Sequence, residues 1–227
     1  MGNIHHREGI EAGRLDAFVD GAFAFTLTLL LIGGGAVPHD AAELMRTLTG
    51  IPAFAVCFSL IAYFWHGHVR WRRHVPDADK AGLVLSLLLV FFALIFVFPL
   101  HMMFASVFNN LSGGLLPSEF KLRGPDELRA LYVVYGIAFT CMAGTLVLLF
   151  GRAARVAREA GQSSLDARLE RLVWTVPAVL GLLSALCAVA LPTSAPQIYW
   201  GLPGMLYSLM FLIGPLSTRF RRKHVAG

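Results

Sequence analysis

Asp20 lies about one turn inside an apolar run, Phe18 to Val37, with Arg14 and Asp16 just before it. An unpaired charge costs roughly 2.5 to 3.5 kcal/mol at mid-bilayer by insertion scales, and less near the edge, so this carboxylate requires a partner. Arg14 is one candidate, and the histidines of the segment Tyr63-Phe64-Trp65-His66-Gly67-His68 are the others. A carboxylate, a guanidinium and an imidazole together support two kinds of chemistry. They hold helix ends as a structural salt bridge, or they sense protons, because histidine titrates near neutral pH. Metal chelation is excluded on spacing: His66 and His68 are two residues apart, about 200° around a helix, and cannot close on one ion. Trp65 fits the aromatic belt of a membrane interface.

Catalysis finds no footing in the sequence. There is no H-E-x-x-H run, and Ser59, Ser86 and Ser184 have no His or Asp at useful spacing. Cys57, Cys141 and Cys187 all fall in apolar stretches, with no CxxC, and are expected to be small packing residues. No cofactor is implied.

The elements that must position these groups follow from composition. The 227 residues are 56% hydrophobic and only 15% charged, with a mean hydropathy of +0.65. That is far more apolar surface than one soluble core needs, so the fold class is all-α integral membrane. A span needs about 20 mostly apolar residues. Six stretches qualify: Phe18 to Val37, Leu48 to Trp65, Ala81 to Val107, Leu131 to Phe150, Leu172 to Leu191 and Ile198 to Leu216. Residues 1–227 therefore form a single six-helix domain. The first span is expected to be retained and not cleaved as a leader, since Glu8, Glu11 and Asp16 precede it and no A-x-A site follows.

Basic residues set the orientation. The N-terminal arm, the second and fourth connections and the C-terminus hold fifteen of the 19 Lys and Arg; Arg46, Lys121, Arg123 and Arg129 lie on the other side. The positive-inside rule puts both termini in the cytoplasm, as an even number of spans requires. The net charge of +5 is thus a topology signal with attraction for anionic headgroups, and no nucleic-acid partner is implied. Asp20 then lies at the level of Trp65, His66 and His68. Of the connections only Phe108 to Ala130 is long, with Asn109, Asn110, Ser112, Gly113, Gly114 and Pro117 marking an irregular segment. Ser164 and Asp166 are possible caps of the fifth span, and Gly33 to Gly35 are expected to fray the end of the first. No small-residue face dominates, and no internal repeat is evident.

One further pattern lies in the first span, where Phe25, Thr28, Leu29 and Ile32 follow i, i+3, i+4, i+7 and share a helical stripe. Any apolar membrane helix has such a row, and Thr26 and Thr28 can bond back to the i−4 carbonyl. The chain resembles a bacterial member of the transmembrane protein 175 family of endosomal and lysosomal potassium channels. The resemblance rests on Arg14-x-x-x-Phe18-Val19-Asp20, on Thr28-Leu29-Leu30, on Tyr63-Phe64-Trp65-x-x-His68 with His66 inside it, and on Pro99.

What the resemblance implies is a homotetramer in a bacterial plasma membrane, six helices per subunit, with the first helices around a central pathway for potassium. Phe25, Leu29 and Ile32 become the pore constriction and Thr28 a hydroxyl layer, while Arg14, Asp20, Trp65, His66 and His68 become the structural or gating cluster. Hydrophobic constrictions gate by dewetting. No T-V-G-Y-G filter occurs in the sequence, so a conventional carbonyl filter is excluded. Two positions depart from the family pattern: its usual Phe-Ser-Asp is Phe-Val-Asp here, and Phe25 stands where isoleucine or leucine is usual. The rival reading is a proton- or cation-coupled secondary transporter using Asp20, His66 and His101. That class places charges at the midplane on broken helices, and no acidic residue lies mid-span here.

Overall fold

The computed structural model describes residues 4–32, 38–75, 79–118, 124–192, 194–214 and 218, and among these it is helical with no strand. The helices are α1 (Ile4–Ile32), α2 (Ala41–Leu48), α3 (Ile51–His74), α4 (Lys80–Leu111), α5 (Pro125–Glu159), α6 (Leu165–Ala190) and α7 (Leu202–Met205). Five of them, α1 and α3 to α6, are long and apolar enough to cross a membrane. Gly33 to Gly35 and Val37 lie outside the described residues, as do Lys121, Arg123 and the basic C-terminal residues beyond Thr218.

Each of the first five expected spans is therefore built mainly on one long helix, and four of these, α1, α3, α5 and α6, run well past the apolar core at the arginine-rich end. α3 continues past Trp65 to His74, carrying Arg70, Arg72 and Arg73. α5 continues past Phe150 to Glu159, carrying Arg152, Arg155 and Arg158. Arginine is a good helix former, and a backbone leaving the bilayer has no reason to unwind where water and headgroups begin. Apolarity locates the membrane; it does not locate the helix end.

The sixth expected span departs from a regular helix. Its described part is a 3₁₀ segment, Gln197–Gly201, then α7, then a second 3₁₀ segment, Leu206–Leu212. This run packs on α5 and α6. Tyr207 meets Tyr135 and Phe139 edge-on at 5.4 and 5.3 Å, and the Arg129 guanidinium lies 5.7 Å from the centre of the Trp200 ring.

α2 is an element that apolarity alone does not disclose, and it takes Leu48 out of the second span. Asp40 is its N-cap, accepting from the Glu43 amide at 2.7 Å, and the Glu43 carboxylate accepts from the His39 amide at 2.8 Å. A turn at Thr49 and Gly50 and Pro52 in the first turn of α3 separate the two helices. The long connection is tighter than a loop, since α4 continues to Leu111 and Gly113 and Gly114 then take positive φ, 64° and 90°. Asn109 Nδ2 donates to the Leu116 carbonyl at 2.6 Å, fastening the turn. Ser164 is the N-cap residue of α6, as expected, but its hydroxyl makes no capping bond.

The core forms where α3, α4, α5 and α6 meet, around the buried rings of Phe64, Phe96, Phe139 and Trp174. Phe64 lies 5.4 Å from both Phe139, at 80°, and Trp174. Gly67 makes room for this packing, because a Cβ there would come within 2.4 Å of the Trp174 ring. Cys57 is fully buried, with Sγ 3.7 Å from the Leu100 carbonyl. The closest backbone approach is between α5 and α6 at Gly136 and Gly181. Thr140 donates there to Gly136 O at 2.7 Å, with Ala178 O of the other helix at 3.2 Å. No small-residue face stands out in the sequence, since the pairing joins residues 45 positions apart.

Candidate functional site on the first helix

α1 has two faces with different partners. Leu15, Val19, Phe23, Thr26 and Leu30 are buried against α3 and α4. On the other side Arg14, Phe18, Gly21, Phe25, Thr28 and Ile32 are exposed, spaced four, three, four, three and four residues apart. That alternation is a 3.5-residue period, the spacing of a straight seam down a helix. Phe25 is 56% and Ile32 65% exposed. No other described helix of this subunit covers the seam.

Leu29 does not share that exposure. It is partly buried and packs against the subunit core, so the four-residue stripe divides into an exposed line of Phe25, Thr28 and Ile32 and a neighbour turned inward. Thr28 Oγ1 donates to the Ala24 carbonyl at 3.1 Å, and Thr26 Oγ1 to the Ala22 carbonyl at 2.8 Å. Both threonines thus bond back along the helix. With its single proton committed, the exposed Thr28 hydroxyl presents only acceptor lone pairs to the seam.

The polar cluster expected near Asp20 is brought together only in part. Trp65 Nε1 donates to Asp20 Oδ1 at 2.8 Å, tying α1 to α3. Arg14 is exposed and forms no ion pair among the described residues. His66 is exposed, and His68 is buried at 2% exposure, as expected for ring positions about 200° apart. His68 bonds not to Asp20 but to Ser86 of α4, Nε2 to Oγ at 3.0 Å. Since the Ser86 hydroxyl donates to Gly82 O at 2.8 Å, His68 is the donor to Ser86.

The strong ionic ties at this end of the bundle involve residues that the sequence reading leaves aside. Asp16 accepts from Arg72 Nε at 2.6 Å, Arg70 pairs with Glu170 of α6, and Arg152 of α5 pairs with Asp79, the N-cap of α4. Three pairs therefore join α1 to α3, α3 to α6, and α4 to α5. Arg72 lies seven residues past Trp65 and Asp16 two residues before Phe18, outside the apolar cores of their spans, in regions taken as connection until the helices are seen to continue. The signal available was their opposite charge at a common membrane level.

Val19 now has a physical account. It is fully buried among helices, where a methyl surface packs and a hydroxyl would need its own partner. Ranking the carboxylates follows from burial. Arg72 has a side chain only 11% exposed, so Asp16→Ala, which removes its carboxylate partner and leaves it the Val75 carbonyl, is expected to cost about 2 kcal/mol. Asp20→Ala removes an exposed acceptor and is expected to cost less than about 1 kcal/mol. Thermal unfolding of the purified variants in detergent checks the order, which reverses if Asp20 is the anchor.

The fold and site define a class: a polytopic helical membrane protein whose first helix keeps a seam of apolar and hydroxyl side chains free of its own subunit. The family model described as endosomal/lysosomal potassium channel TMEM175 matches residues 14–99. The match takes in the first two spans and most of the third. A potassium channel of Marivirga tractuosa is 25% identical over 95% of this chain and 91% of its own length. One from Streptomyces collinus is 32% identical over 88 residues, covering 35% of this chain and 41% of its own. Among solved structures, that of a variant of the potassium channel MtTMEM175 in complex with a nanobody fusion has a TM-score of 0.76, with 22% identity and 94% of each chain covered. That of a lysosomal potassium-selective channel TMEM175 homolog from Chamaesiphon minutus has a TM-score of 0.53 and 22% identity, covering 91% of this chain and 98% of that one. These two likenesses are of fold.

Proposed function

We propose that this chain is the subunit of a potassium-permeable channel, a homotetramer whose α1 helices surround the pathway in a bacterial plasma membrane. The observation that carries this reading is the exposed seam of α1. Apolar helices of a membrane protein pack on one another or on lipid, and the exposed face of α1, on which Phe18, Gly21, Phe25, Thr28 and Ile32 follow a 3.5-residue line beside the small Ala17 and Ala24, suits self-association about an axis. The relatives named as potassium channels supply the permeant ion.

In this assembly Phe25 and Ile32 form apolar rings, Leu29 buttresses them from behind, and Thr28 supplies the oxygen layer between them. An apolar ring excludes water when narrow, so conduction switches with small changes of radius and needs no charged plug. Thr28 lone pairs, partial dehydration and pore radius together favour potassium modestly. The Asp20 to Trp65 bond holds the base of the pore helix, and His66 and His68 complete its polar surroundings. Both termini face the cytoplasm, which requires a sixth crossing after α6. Twelve residues in 3₁₀ geometry and four in α-helix rise about 30 Å at 2.0 and 1.5 Å per residue, the thickness of the hydrocarbon core. The transporter reading has less support: the acidic side chains of the described spans lie at or beyond the ends of the apolar runs, Asp20 being the third residue of its own.

The experiment is potassium flux in proteoliposomes, with the mass of the detergent-solubilised particle measured alongside. Potassium flux from a four-subunit particle is expected. A monomer, or a tetramer silent both as wild type and as Phe25→Ala, overturns the proposal.

A further inference from the structure

The arginines of the basic end are not evenly partnered, and three of them converge. Arg152 and Arg155 of α5 and Arg171 of α6 line one cleft of about 200 Å³, with Val147, Leu148 and Gly151 as its floor. Arg171 passes over α5 at Gly151, where a Cβ would stand in ordinary contact, 3.5 Å from Arg171 Nε. Arg152 shares its charge with Asp79. Arg155 and Arg171 are exposed and have no ion pair among the described residues. The cleft therefore carries positive charge just past Phe150, where the apolar part of α5 ends.

A second concavity adjoins it. Leu148 and Arg152 also border a groove of about 540 Å³ between α4 and α5, whose other walls are Ala81, Val84 and Leu85, with Lys80 at its mouth. A cleft of the first size is too small for a typical organic ligand, whereas the groove is of ligand size and apolar. Cations above an apolar trough, at the membrane boundary, match the two parts of one molecule.

We propose that this pair of concavities binds an anionic phospholipid, its phosphate held by Arg155, Arg171 and Arg152 and an acyl chain lying along Val84, Leu85 and Leu148. Guanidinium forks fit phosphate oxygens in bidentate fashion, and Arg171 bridges α5 and α6 while Arg152 reaches the cap of α4, so the bound lipid joins three helices. The site is independent of conduction and of the pore on α1.

Native mass spectrometry of the delipidated full chain in neutral detergent tests it, with phosphatidylglycerol, phosphatidylcholine and inorganic phosphate as separate probes. Phosphatidylglycerol is expected to bind the wild type, and Arg155→Gln with Arg171→Gln is expected to weaken it roughly 30-fold, from the attraction of each basic side chain to anionic lipid. Arg73→Gln with Arg158→Gln removes the same charge from exposed positions outside the cleft and is expected to leave binding unchanged. Equal weakening by both pairs reduces the effect to diffuse surface charge and overturns the proposal. Retention of phosphatidylglycerol by the cleft variant, equal binding of phosphatidylcholine, or displacement of the lipid by millimolar inorganic phosphate also overturns it, the last pointing to a soluble anion.

Discussion

Phe25→Ala is expected to raise resting potassium flux through the reconstituted protein about tenfold or more, equivalent to at least ~1.4 kcal/mol off the barrier. Phe25 is 56% exposed on a face that no other described helix of the subunit covers, so the substitution removes a ring from the proposed axis while leaving the core intact. In an assembly with fourfold symmetry it removes four rings at one level, and a wider, less apolar constriction wets more readily. Two comparisons keep the result specific. Leu29→Ala, at a partly buried position packed on the core, is expected to change flux less. Phe23→Ala, at a buried position on the opposite face, is expected to lower thermal stability without opening the pathway. Single-channel recording and vesicle flux both check this, and unchanged flux in Phe25→Ala removes this residue from the constriction.

Gly136→Ala is expected to be the most damaging single methyl in the chain. The added carbon would come within 2.6 Å of the Gly181 carbonyl and 3.1 Å of the Ala185 amide nitrogen, both backbone atoms. No rotamer change relieves a clash with backbone, so α5 and α6 must part, and the bond from Thr140 to Ala178 O is lost with them. Overpacking of a close-packed contact costs typically 1 to 3 kcal/mol, and this site is expected at about 3 kcal/mol. Gly144→Ala provides the contrast. It lies two turns along the same helix, where an added Cβ meets nothing within 4 Å, and it is expected to be neutral or slightly stabilising because Ala exceeds Gly in helix propensity. Thermal unfolding in detergent separates the two, and equal midpoints would show that the helices do not rely on this approach.

The reach of the sequence differs from one element to the next. Five apolar stretches become five helices because a backbone in lipid must satisfy its own hydrogen bonds. Their ends were not legible, since α3 and α5 continue through arginine-rich turns that hydropathy counts as connection. α2 is too short and too polar on one side to register as a span, and the broken run after Gln197 has the composition of a helix without its regular geometry. At the site, Phe25, Thr28 and Ile32 stand on one exposed line as their spacing predicts, whereas Leu29 is turned toward the core. Its spacing permits either orientation, and only the positions of α3 and α4 decide which side of α1 is covered.

The charges show the same division. Asp20 could be recognised as needing a partner because the cost of a carboxylate in an apolar run is a property of the run itself. That its partner is the Trp65 indole, that Asp16 takes Arg72, and that His68 turns to Ser86 depends on how the helices rotate and slide against one another. Hydropathy and charge distribution along the chain are one-dimensional quantities, and they determined the membrane class, five of the six expected spans and the basic end. Pairings between helices are set by side-chain volumes meeting across an interface, Gly67 under Trp174 and Gly136 against Gly181 among them, and these only the tertiary structure decided.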